Sequence, residues 1–120
     1  MNNNRPKFLT LYQIRLPLPG LVSILHRISG ALLFLALPLL LWMLQQSLHA
    51  SDNLDILQST AGKLMLLVLL WAFLHHFCAG IRFLALDLHA GVKLSKARAT
   101  SKLVLLASLA LTALLGVRLW

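Results

Sequence analysis

The chain has 120 residues, of which 59% are hydrophobic and only 12% charged, with a formal net charge of +8. A soluble domain carries about 25% charged residues, so the composition excludes an ordinary soluble fold and points to an integral membrane protein. The positive charge does not imply nucleic acid, because the bases flank apolar runs, as they do around membrane spans.

Residues 1–20 come first. "RPKFLTLYQIRLPLPG" carries Arg5, Lys7, Tyr12 and Arg15, and Pro17, Pro19 and Gly20 are expected to break regular structure just before the first apolar run. The segment is expected to lie along the inner membrane interface. The run that follows is too long for the apolar part of a signal peptide, so the N-terminus is expected to be retained.

The first predicted span covers residues 21–48, above the ~20 residues that a bilayer requires. Trp42 suits its far interface, and Pro38 is expected to bend the helix or be accommodated by a neighbour. Residues 49–63 form a connection with Asp52, Asp55 and Lys63. The second span, 64–88, is apolar but interrupted by His75, His76, Arg82 and Asp87. Its single cysteine, Cys78, excludes an internal disulfide and reads as a small buried hydrophobe. Residues 89–102 carry Lys93, Lys96, Arg98 and Lys102, and the third span, 103–120, ends with Arg118 and Trp120. The fold class is therefore all-α integral membrane, with three transmembrane helices that satisfy their own backbone hydrogen bonds. Lys and Arg in the N-terminal segment, the two connections and the C-terminal end number three, one, four and one. The excess of positive charge inside predicts a cytoplasmic N-terminus and a C-terminus on the outer side.

The polar residues inside the spans cluster at one depth. Ser23, His26, Arg27 and Gly30 are spaced i, i+3, i+4, i+7 and share a helix face at the inner end of the first span. The second span runs the opposite way and brings Arg82 and Asp87 to the same end. His76 lies about 16 Å deeper than Asp87 at 1.5 Å per residue. The third span is expected to contribute almost nothing polar. Intramembrane charge is costly, so such residues point to function. Each also has a plainer reading. Arg27 can snorkel to the headgroups, and Arg82 can do so or pair with Asp87. His26 alone reads as a hydrogen-bonded interface histidine. Two adjacent histidines in mid-span are harder to explain structurally. One can hydrogen-bond a neighbouring helix, and the other can bind a metal centre, neutral imidazole being the usual axial ligand of haem. Ala79, Gly80 and Phe83 continue the His76 face, which favours His76 over His75.

"SILHRISG" at 23–30 and "HFCAGIRFLALD" at 76–87 resemble the signatures of the cytochrome b large membrane-anchor subunit of succinate dehydrogenase, the complex II family. The resemblance covers nearly the whole chain. It implies a subunit of a succinate:quinone oxidoreductase that holds no dehydrogenase chemistry of its own. The histidine four before Gly-Ile-Arg, His76, corresponds to the haem b ligand. Ser23 and Arg27 correspond to quinone-binding positions, and His26 with Arg27 to contacts of the haem propionates. Arg82 and Asp87 are candidates for support. The resemblance further implies a small anchor subunit that supplies the second haem ligand, an iron–sulfur subunit, a flavoprotein subunit, ubiquinone as substrate, and a bacterial inner membrane. One departure stands out: Phe83 follows Gly-Ile-Arg where many members have histidine. The alternatives are a haem-free structural anchor and a small proton channel or transporter. The second is disfavoured by the lack of a mid-membrane acid.

Overall fold

The computed structural model describes residues 16–48 and 58–119. The expectations for Arg5, Lys7, Tyr12, Arg15, Asp52, Asp55 and Trp120 lie outside those residues. Within them the chain forms α1 (Leu18–Leu48), α2 (Thr60–Asp87) and α3 (Leu94–Gly116), followed by a short 3-10 turn at Val117–Leu119. All three helices are long and apolar enough to cross a membrane.

The helix ends differ from the apolar runs for local reasons. α1 begins at Leu18, so Pro19 and Gly20 lie in its first turn and do not interrupt it. Proline is tolerated there because the first-turn N–H groups have no intrahelical partner to lose. The helix also runs through Pro38. α2 starts at Thr60, ahead of the apolar run, because the Ser59 hydroxyl accepts a 3.1 Å hydrogen bond from the Gly62 N–H. It stops when His89 takes a left-handed conformation, φ 59°, while the Ala90 N–H bonds the Ala85 carbonyl and the His89 N–H bonds that of Leu86. That pairing closes a helix C-terminus. α3 begins at Leu94 instead of Leu103, because "LSKARATSK" is rich in Ala, Lys and Arg, which are good helix formers. Hydropathy marks where a helix meets lipid, and the helix itself continues past that point.

The three helices pack as an antiparallel series. Val22, Ala79 and Val104, one from each helix, meet in a common buried cluster. Arg82 of α2 reaches Ala97 and Thr100 at the start of α3, and Leu67 of α2 packs against Gly116 at its end. Helices in lipid gain nothing from burying leucine against leucine, so their contacts rely on small residues and interhelical hydrogen bonds. The buried faces follow that rule: Gly62, Ala72, His75, Ala79 and Arg82 on α2, and Ser101, Val104, Ser108, Thr112 and Gly116 on α3. The large apolar side chains point away from the bundle; Phe34 and Leu35 are each 75% exposed.

Candidate functional site

The site is built where the N-terminal half of α1 crosses the C-terminal half of α2. The His26 and His76 rings lie face to face, with centroids 4.1 Å apart and planes within 6° of parallel. Phe83 packs tilted against His26, with ring centroids 5.1 Å apart. Such closeness needs a gap in α1, and Gly30 supplies it: a Cβ at that position would come within 2.7 Å of His76 Cε1. Gly80 faces His26 Nε2, but a Cβ there would lie 3.7 Å away, an ordinary contact, so the close approach depends on Gly30.

A hydrogen bond fixes the orientation of the His76 ring. Its Nδ1 lies 3.1 Å from the His26 carbonyl oxygen. A carbonyl only accepts, so Nδ1 carries the proton and Nε2 keeps its lone pair. Ser29, buried between the helices, donates its hydroxyl to the same carbonyl at 2.9 Å and lies 3.4 Å from His76 Nδ1.

His75 points elsewhere. It is fully buried against α3, with Nδ1 3.4 Å from the Ser108 hydroxyl and its ring beside Trp71. The Ser108 hydroxyl is donated to the Leu105 carbonyl, so His75 Nδ1–H is the donor to Ser108. Among the described residues its buried Nε2 has no hydrogen-bond partner.

The remaining candidates divide. Ser23 is half-buried and Arg27 exposed on α1, one turn apart, and among the described residues neither has a hydrogen-bond or ion-pair partner. Arg82 neither snorkels nor pairs with Asp87. It is 7% exposed, and it donates from Nε to Thr100 Oγ1 at 3.1 Å and from a terminal nitrogen to the Ala97 carbonyl at 3.4 Å. Asp87 is exposed at the end of α2. Three expectations need correction. Ala79 does not share the His76 face but lies in the three-helix junction. Cys78 is half-buried, not fully buried, and lines a cavity of about 290 Å³ between α2 and α3 together with Arg82 and Thr100. The third helix is not devoid of polar groups in the interior, since Ser101, Ser108 and Thr112 are all buried. Their i, i+7, i+11 spacing, ending at Gly116, was the signal available in the sequence; each hydroxyl bonds its own helix, which lowers the cost of burial.

The succinate dehydrogenase/fumarate reductase transmembrane subunit family matches residues 1–115 of the chain. A succinate dehydrogenase cytochrome b556 subunit from Coxiella burnetii is 34% identical over the full length of both chains. That of Rickettsia felis is 33% identical over 96% of this chain and 93% of its own. That of Paracoccus denitrificans is 30% identical over 92% and 88%. The chain belongs to the succinate dehydrogenase/fumarate reductase transmembrane subunit family. As a member of it, the chain is a multi-pass membrane subunit of a succinate dehydrogenase complex, and the three membrane-length helices are what such a subunit requires.

Within this family member, two residues that orient the adjacent histidines escaped sequence reasoning. Ser29 is offset from the Ser23–His26–Gly30 face, and only the crossing of α2 reveals its contact with His76. Ser108 lies on a helix judged apolar, and its contact with His75 explains why one of the two adjacent histidines faces protein.

Proposed function

We propose that the chain is the cytochrome b anchor subunit of a succinate:quinone oxidoreductase, with His76 as an axial ligand of haem b. The observation that carries this reading is the hydrogen bond from His76 Nδ1 to the His26 carbonyl. Metal-bound histidines characteristically donate their other ring N–H to such an acceptor, which fixes the tautomer and raises the basicity of the ligating nitrogen. The donor chemistry therefore fits haem, which asks the protein for axial ligands only. No group of three or more metal-ligating side chains occurs among the described residues, so a macrocycle that brings its own four nitrogens suits this site better than a bare ion.

His26 is not the second ligand in this reading. The His26 ring is stacked face to face with that of His76 and is taken up in packing beside it. The second ligand then comes from the small anchor subunit. His26 and Arg27, at the edge of the site, are assigned to the propionates. When bound, the haem supplies one-electron redox chemistry beside the quinone path.

The chain's own contribution to quinone reduction rests on α1. Ser23 donates a hydrogen bond to a quinone carbonyl oxygen. Arg27 stabilises negative charge as that oxygen is reduced, because a cation beside the oxygen favours the charged form. The lack of partners for both side chains among the described residues supports their availability to a ligand. Arg82 and Asp87 are assigned supporting roles, Arg82 by tying α2 to α3. Electrons arrive from the iron–sulfur subunit, fed by the flavoprotein subunit, and protons arrive from the cytoplasm. The distribution of Lys and Arg supports a cytoplasmic N-terminus and an outer C-terminus in the inner membrane of a bacterium.

Ser23→Ala and Arg27→Ala complexes test the quinone assignment. Each is expected to reduce ubiquinone at least tenfold more slowly while oxidising succinate normally with an artificial acceptor. Full retention of both activities would contradict the assignment.

A further inference from the structure

We propose that Ser29 is a positioning residue that tunes the haem iron through the ligand His76, by weakening the carbonyl to which that ligand is bound. The inference rests on the reading of His76 as axial ligand and adds to it a residue outside the Ser23–Arg27–His76 set.

The argument begins with one oxygen atom. The His26 carbonyl accepts the Ser29 hydroxyl at 2.9 Å and His76 Nδ1–H at 3.1 Å. It also lies in the continuous ladder of α1, where the N–H four residues on, that of Gly30, is directed at it. Three donors therefore compete for one acceptor with two lone pairs. Ser29 is 1% exposed, so water does not relieve the competition. His76 has little freedom to find another acceptor, because the His26 ring covers one face and its Cε1 fills the gap left by Gly30.

The sign of the effect follows. A hydroxyl donated to the carbonyl reduces the oxygen's power to accept from His76. Without it, the bond from Nδ1–H strengthens, the imidazole gains imidazolate character, and a more electron-rich ligand favours ferric over ferrous iron. The Ser29 oxygen also lies 3.4 Å from Nδ1 as a second acceptor. Its loss acts in the opposite sense, but the contact is longer and weaker than the 3.1 Å bond, which governs the sign.

The test is a potentiometric titration of haem b in the complete membrane complex. In Ser29→Ala the ferric-to-ferrous ratio at a fixed ambient potential is expected to rise about threefold, in keeping with the modest net worth of one hydrogen bond. That is a midpoint about 28 mV lower at 59 mV per tenfold for one electron. Ser29→Thr, whose hydroxyl can still bond back to the preceding turn, is expected to restore the wild-type midpoint. A merely structural serine would change haem content or stability and leave the potential of the retained haem unmoved. An unchanged or raised midpoint in Ser29→Ala, or outright loss of its haem, would overturn the inference. A wild-type complex without haem b would instead overturn the reading on which it rests.

Discussion

Gly30 acts through what it lacks. Its absent side chain lets the His76 ring lie against the α1 backbone within reach of the His26 carbonyl. In Gly30→Ala the new Cβ meets His76 Cε1 at 2.7 Å, so the ring or the helix crossing must shift. Overpacking of this kind costs about 1–3 kcal/mol, so haem retention is expected to fall about tenfold, read as haem per flavin in the purified complex. Wild-type haem content would show that the ring has room to spare. At this scale the sequence was partly legible. The i, i+3, i+4, i+7 spacing put His26 and Gly30 on one face, but that Gly30 lies opposite His76 is seen only where α2 crosses α1. The choice between His75 and His76 was not decided by periodicity, since adjacent residues differ only by about 100° around a helix. It depends on which neighbour each meets: Ser108 and the α3 interior for His75, the α1 backbone for His76. Arg82 was legible as an intramembrane cation but not as a link to α3, because Thr100 and Ala97 lie across a turn whose geometry the sequence does not reveal.

Among the elements, the spans were plain and their ends were not. A run of leucines announces a transmembrane helix, yet α2 starts at a serine cap and α3 starts inside a basic stretch, both outside what hydropathy detects. The turn between α2 and α3 rests on His89 at φ 59° and Gly91 at φ 82°. A non-glycine residue in the left-handed region costs about 1–2 kcal/mol. His89→Gly is therefore expected to stabilise the closure of α2 by about 1 kcal/mol and to raise the temperature at which the detergent-solubilised complex loses its activity. An unchanged or lower temperature would mean that the His89 side chain contributes contacts that offset the strain. The interhelical surfaces show a second limit of hydropathy. Ser101 lies in the basic stretch and Ser108 and Thr112 in the apolar run, and their shared face becomes meaningful once α2 is packed against it.

For the molecule as a whole, three helices enclose little. Most large apolar side chains face outward, and the two-histidine site lies at the crossing of α1 and α2. A subunit of this family is a part of an assembly, and the proposed role of His76 would leave the other side of the haem to a partner. The overall class was legible from composition because bilayer thickness imposes length and apolarity on each span. The partition of roles between the histidines needed side-chain contacts across helices. The central claim is that His76, and not its neighbour, holds the iron. A reduced-minus-oxidised optical spectrum of membranes containing the coexpressed complex tests it most directly. His76→Ala is expected to abolish the low-spin b-type signal. His75→Gln, whose amide can still bond Ser108 and fill the buried space, is expected to keep it. Persistence of the signal in His76→Ala, or its loss only in His75→Gln, would contradict the account.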